Sequence, residues 1–158
     1  MAYTREKLNR IKIEHWRIPV PIANAAVIYQ GDMAIYNAHT DVAAVATAAS
    51  GGTFIGVFDG SNPIETAGSP SFLADSSQKH LNVVQSGLVE MIADGGYTCM
   101  PFDSVYIGNT DAQHVTNSGS FIVGIIDPKW AGSAGRAVVL GDLVRFWLRV
   151  PQAYRALG

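Results

Sequence analysis

Ser133 lies in Ala131-Gly132-Ser133-Ala134-Gly135, a small-x-Ser-x-small pattern that imitates the nucleophile elbow of serine hydrolases. In such an elbow a strand-to-helix turn strains and exposes the serine. Here Asp127-Pro128 interrupts the run before it, and a β-type run, Ala137 to Leu140, follows. Those residues favour a flexible hairpin turn. The four histidines, His15, His39, His80 and His114, show no metal-motif spacing. Two stand near an acid, in His39-Thr40-Asp41 and Asp111-Ala112-Gln113-His114, where hydrogen bonding within a turn accounts for the pairing. Asp32 and Asp103 each precede a strand in a Gly-Asp or Phe-Asp turn, a place where Asp bonds the backbone. Cys99 has no neighbouring cation in sequence to activate it, so it reads as a buried structural thiol. No Gly-Lys-Ser or Gly-Lys-Thr is present, so no lysine-bearing phosphate cradle is encoded. Gly51-Gly52-Thr53-Phe54-Ile55-Gly56 is glycine-rich but leads into a strand, which puts no helix N-terminus before a phosphate. The sequence thus assigns no catalytic, cofactor-binding or metal-binding residue. An esterase-like hydrolase using Ser133 with a histidine stays open as the enzymatic alternative.

The elements around these residues are short strands and Gly-rich turns. Ala25 to Tyr29, Met33 to Tyr36, Val42 to Thr47, Thr53 to Phe58, Leu81 to Ile92, Val105 to Ile107, Phe121 to Ile126 and Ala137 to Val150 are strand candidates. Gly87 inside the fifth predicts a bulge or bend, and Gly141 a bend in the last. The segment 59–79 has no strand pattern. Within it, Ser69-Pro70 before Phe72-Leu73-Ala74 predicts one short helix.

The strands echo one another. Asp32, Tyr36 and Gly52 to Asp59 resemble Asp103, Tyr106 and Gly119 to Asp127, and a valine-rich strand follows each set. The expected fold is mainly β: a small barrel of two similar hairpin-plus-strand halves, which leaves few open edges. Residues 22–158 form that barrel domain, with 59–79 as a loop insertion. Residues 1–21 are an extended N-terminal arm, since Ile18-Pro19-Val20-Pro21 forbids helix.

Composition and charge narrow the function classes. With 158 residues, the chain fits one domain. Charged residues make up 15% against roughly 25% in an average soluble protein, which together with 48% hydrophobic residues excludes a charged disordered chain. No run approaches the ~18 apolar residues of a membrane-spanning helix, and no apolar signal core follows Met1 to Lys7, so neither membrane nor secretion is expected. Charge is segregated: residues 1–17 carry +3, 18–128 carry −9 and 129–158 carry +4. The acidic middle repels nucleic acid, and no nucleic-acid-binding motif appears.

The order of motifs resembles the small capsid cement, or decoration, proteins of tailed bacteriophages. The stretches that carry the likeness are Gly31-Asp32-Met33, Val42 to Thr47, Phe54-Ile55-Gly56-Val57, Val83-Val84-Gln85-Ser86-Gly87-Leu88-Val89, Phe102 to Tyr106 and Val123-Gly124-Ile125. They cover about residues 25–150. The arm and the 59–79 segment depart from compact members of that group. The resemblance implies a β-barrel on the outer capsid surface, made in the host cytoplasm and commonly trimeric. It would tie neighbouring capsomers together, with the major capsid protein and other copies of itself as partners. The arm residues expected to reach a neighbour are Arg5, Lys7, Leu8, Arg10, Ile11, Lys12, Ile13, Trp16, Arg17 and Ile18. A head-fibre base or a carbohydrate-binding barrel is the other binding module considered.

Overall fold

The run Leu81-Asn82-Val83-Val84-Gln85-Ser86-Gly87-Leu88-Val89-Glu90-Met91-Ile92-Ala93 is β-branched and apolar on both alternating faces, which suits a strand covered on two sides. It forms β7, His80–Ala93, the longest element among the described residues. At ~3.3 Å per residue it is far longer than one small barrel needs. The structure is a computed structural model that describes residues 11–23, 27–46, 51–59, 71–73 and 80–150. The other described strands are β1 (Ile11–Pro21), β2 (Val27–Tyr29), β3 (Met33–Asn37), β4 (Val42–Val45), β5 (Thr53–Asp59), β6 (Ser71–Leu73), β8 (Tyr97–Cys99), β9 (Ser104–Ile107), β10 (His114–Thr116), β11 (Ile122–Ile126), β12 (Arg136–Val138) and β13 (Leu143–Leu148).

Both edges of β7 are used twice. β5 and β1 pair with its first half, around Asn82 to Val84, and so take opposite edges. β13 pairs with Leu88 to Ile92 on the β5 edge, and β10 pairs with Ile92 and Ala93 on the β1 edge. β7, β13, β11, β9 and β10 therefore close on themselves as a five-stranded barrel. The other side of β7 mirrors this arrangement. The main sheet reads β10-β9-β11-β13-β7-β5-β3-β4, so β4-β3-β5-β7 and β10-β9-β11-β13 are the same order run twice. A parallel bridge between Ile22, just past β1, and Ala43 of β4 brings the first set round as a looser ring.

Each ring has its own core. Val89, Met91, Val105, Val115, Val123, Val144 and Phe146 fill the barrel, joined by Met33, Phe54 and Val57 from the back of the neighbouring strands. Val20, Ile22, Ala34, Ile55, Phe58, Leu81 and Val83 fill the other. The two-half expectation is met at the level of single residues. β5 bulges at Ile55, and Gly56 follows; β11 bulges at Val123, and Gly124 follows. In both, an added Cβ would strike a carbonyl of the adjoining long strand, Val84 O at 2.1 Å and Trp147 O at 2.3 Å.

A second repeated device is a four-residue turn ending in Asp. It occurs at Tyr29–Asp32, Met100–Asp103 and Val139–Asp142. In each, the Asp N–H donates to the first residue's carbonyl, at 3.0, 3.1 and 3.0 Å. The first residue's N–H donates to the carboxylate, at 2.9, 3.2 and 2.9 Å. The third residue has positive φ: +92° at Gly31, +67° at Phe102 and +93° at Gly141. Its N–H donates to the end of a neighbouring strand, at Phe58, Ile126 and Ala93 respectively. Phe102 alone is not glycine there, and it is exposed. A β-carbon in that conformation costs roughly 1 kcal/mol or more. Phe102→Gly is therefore expected to raise stability by about 1 kcal/mol in urea unfolding. A lowered midpoint would show that the ring packs in a way that outweighs the strain.

Two expectations change. The predicted helix at Phe72-Leu73-Ala74 is not formed; Ser71–Leu73 is β6, paired with β2. The one helix among the described residues is a single turn, Pro128–Ala131 (α1). Asp127 caps it by accepting from the Lys129 N–H, and Pro128 stands at its start, where the missing N–H costs nothing. Ala137 to Val150 is two strands, not one bent strand. β12 leaves the main sheet to pair with β8, and the Val139–Asp142 turn separates it from β13. Gly87 does lie among irregularities: Lys12 and His15 on β1 and Gln85 on β7 fall outside the register.

Candidate interaction surface

The described part of the arm lies on its own barrel. Ile11–Pro21 is extended because Pro19 and Pro21 bar helix and their neighbours are β-branched. It pairs along the β7 edge as β1. Proline fits there because β1 is an edge strand, where a missing N–H need not break a ladder. Val20 is fully buried in the second core, and Ile22 nearly so. The division between arm and barrel at residue 21 thus falls inside a continuous sheet.

The ten arm residues separate into groups. Arg5, Lys7, Leu8 and Arg10 lie outside the described residues. Ile11 packs on the barrel core and Ile18 on the second core. Ile13 and Trp16 stay on the surface, 41% and 61% exposed. Lys12 Nζ lies 3.1 Å from Glu90 Oε1, and Arg145 Nη2 reaches the other Glu90 oxygen at 3.3 Å. Glu90, nearly buried on β7, is thereby held between two cations. Arg17 Nε donates to Glu14 at 2.6 Å, and the same guanidinium pairs with Asp59 at the end of β5. Its hydrogen bond holds the Glu14 carboxyl below the usual range. Burial pushes Asp59 up, against the pull of Arg17. Two ion pairs therefore tie β1 down at either end of its first half. They are partly open to solvent, so each contributes little and salt weakens it.

A second exposed apolar group went unrecognised in the sequence. β11 and β7 both run antiparallel to β13, so their C-terminal ends meet at one end of the barrel. The turns of Phe102 and Leu140 hang from those ends, and the β8–β12 ribbon joins them. Met100, Phe102, Val139 and Leu140 are exposed there. Arg136 stacks over Trp130 beside them, 4.8 Å from the ring centre. The Gly-Asp at 141–142 was the available signal, since it repeats Gly31-Asp32.

The residues considered for chemistry are dispersed. Ser133 is exposed in a turn that follows α1 and precedes β12, the reverse of the strand–serine–helix order of an elbow. His114 Nδ1 meets Asp111 Oδ1 at 2.7 Å, while Asp41 accepts from the Tyr36 hydroxyl and the His39 N–H donates to Asn37. His39 lies in the β3–β4 turn, whereas His114 is the first residue of β10, so the two histidines are near, but not at, matching positions. No group of three or more candidate metal ligands occurs among the described residues. Cys99 is buried, and desolvation, with Asp103 adding to it, pushes its thiol up to about 11. It lines a cavity of about 10 Å³, no more than one water in size.

A scan against protein-family models finds no match, and a search of the curated proteins finds no relative.

Proposed function

We propose that this chain is a structural virion protein, a capsid cement or decoration protein. It binds the outer surface of a phage head and ties neighbouring capsomers together, with the major capsid protein and further copies of itself, as a trimer, for partners. The observation that carries the reading is Trp16, 61% exposed with Ile13 beside it on a strand anchored by Val20. A large exposed aromatic on a strand already paired in the free chain is the kind of residue that dominates protein interfaces. The ordered motifs from Gly31 to Ile125 supply the class of partner. A paired sheet with its own two cores suits a protein whose work is to be stiff and sticky rather than to turn over a substrate.

The test uses shells that lack the protein. Trp16→Ala should keep the fold, since the side chain is exposed, and should weaken shell binding at least about tenfold. Unchanged occupancy of the shells would remove Trp16 from the interface. Retention on a glycan surface with no affinity for shells would replace the reading with a carbohydrate-binding module.

A further inference from the structure

β1 is two strands in one. From Arg17 to Pro21 it pairs with Val84 to His80 without interruption, and Val20 is fully buried. From Ile11 to Arg17 the register breaks three times. Lys12 and His15 fall outside it on β1, and Gln85 falls outside it on β7. Among the described side chains of Ile11 to Arg17, none is buried, and Ile13 and Trp16 face solvent. This half is held by backbone pairing, by the half-buried Ile11 against the barrel core, and by the pairs Lys12–Glu90 and Arg17–Asp59. Segments with few buried contacts and exposed backbone bonds open at far lower free energy than the core.

We propose that Ile11–Arg17 is an exchangeable strap. It peels from its own β7 edge, hinging at Ile18, and the same segment of a second copy takes its place. The freed edge, Val84 to Val89, is not a generic template. At Gly87 it accepts a backbone so close that an added Cβ would sit 2.0 Å from the Ile13 carbonyl oxygen. It also needs two extra residues at set positions, a cation opposite Glu90 and a cation that reaches Asp59. Ile11–Arg17 meets all of these needs, and a second copy brings an identical one. Exchange of an identical element between copies adds reach at low cost in free energy. This inference does not depend on the capsid reading, because its readouts involve no capsid.

Two measurements on the full chain test it. Hydrogen exchange should be about tenfold faster or more for the amides of Ile11–Arg17 than for Ile18 and Val20, and 1 M salt should widen the gap. Equal rates along β1 would overturn the release. For exchange, Ile13→Cys and Leu88→Cys are placed on separate chains, both carrying Cys99→Ala. Ile13 and Leu88 are direct partners across β1 and β7. Mixing the two under mild oxidation should give a disulfide-linked heterodimer whose yield rises with salt. A yield no higher than for a control mix of Trp16→Cys with Asn82→Cys, which are not partners, would overturn the second-copy assignment.

Discussion

Asp32→Ala is expected to cost about 3 kcal/mol of stability, while Asp103→Ala in the matching turn costs about 1 kcal/mol. Both carboxylates accept a backbone N–H three residues back, so the local bond is the same. Their surroundings differ. Asp32 is fully buried and its second oxygen accepts from Gln113 Nε2 at 2.9 Å, while Asp103 is exposed. Gln113 is itself fully buried in the segment leading into β10, and the Gln113 carbonyl accepts from the Ile92 N–H. Met33 N–H, one residue past Asp32, bonds the Ala112 carbonyl at 2.8 Å. Asp32 is thus a bolt between the first ring and the closing strand of the barrel. Its loss strands buried polar groups, which costs more than the net gain from one exposed bond. Urea unfolding of the two variants side by side is the measurement. Equal losses would show that the turn, not the junction, is what the aspartate stabilises.

Gly56→Ala is expected to have an effect as large, about 3 kcal/mol or more, and to prevent folding when combined with Gly124→Ala. Gly56 has φ +132°, and a Cβ there would stand 2.1 Å from the Val84 carbonyl oxygen and 2.8 Å from a Val83 methyl. Backbone cannot retreat there without breaking the β5–β7 ladder, which extends only over Val57 to Asp59. Gly124 meets the Trp147 carbonyl and the Phe146 ring at the matching point of the other half. Ala substitution at Gly95, where nothing lies within 4 Å of an added Cβ, should by contrast be close to neutral. Thermal unfolding of the three variants decides this. A mild Gly56→Ala would mean that the bulge can re-register, contrary to the close approach described above.

Much of this architecture is legible in the residues. Near-continuous apolar runs at Met33, Thr53, Leu81 and Phe121 announce strands because a strand buried on both sides has no polar face to show. The Gly-Asp and Phe-Asp turns are readable because Asp bonds its own backbone and a positive φ calls for glycine. The third copy, at Gly141-Asp142, was hidden inside an apolar run that has the same composition on either side of the turn. β8 and β10 are three residues each, too short for any period to show. That β1 lies on its own β7 depends on pairing across some seventy positions, which local pattern does not encode. The third Gly-Asp turn marks where Val139 and Leu140 sit, but not that they, Met100 and Phe102 are exposed. Exposure of an apolar residue is decided by what the chain fails to place over it.

The low and segregated charge fits this structure. The few arm cations that are described serve Glu90, Glu14 and Asp59 on the same molecule. That leaves the apolar positions Ile13 and Trp16 as the features offered outward from β1. Binding through them should depend weakly on salt, whereas seating of β1 itself should depend on it more strongly.

The proposed function places this protein on a phage head. Quantitative mass spectrometry of purified virions measures that most directly. A cement protein is expected at a fixed number of copies per major capsid subunit, on particles treated to remove loosely adsorbed protein. Its absence from virions of a phage that expresses it, or its presence only in trace amounts that vary between preparations, would overturn the proposed function.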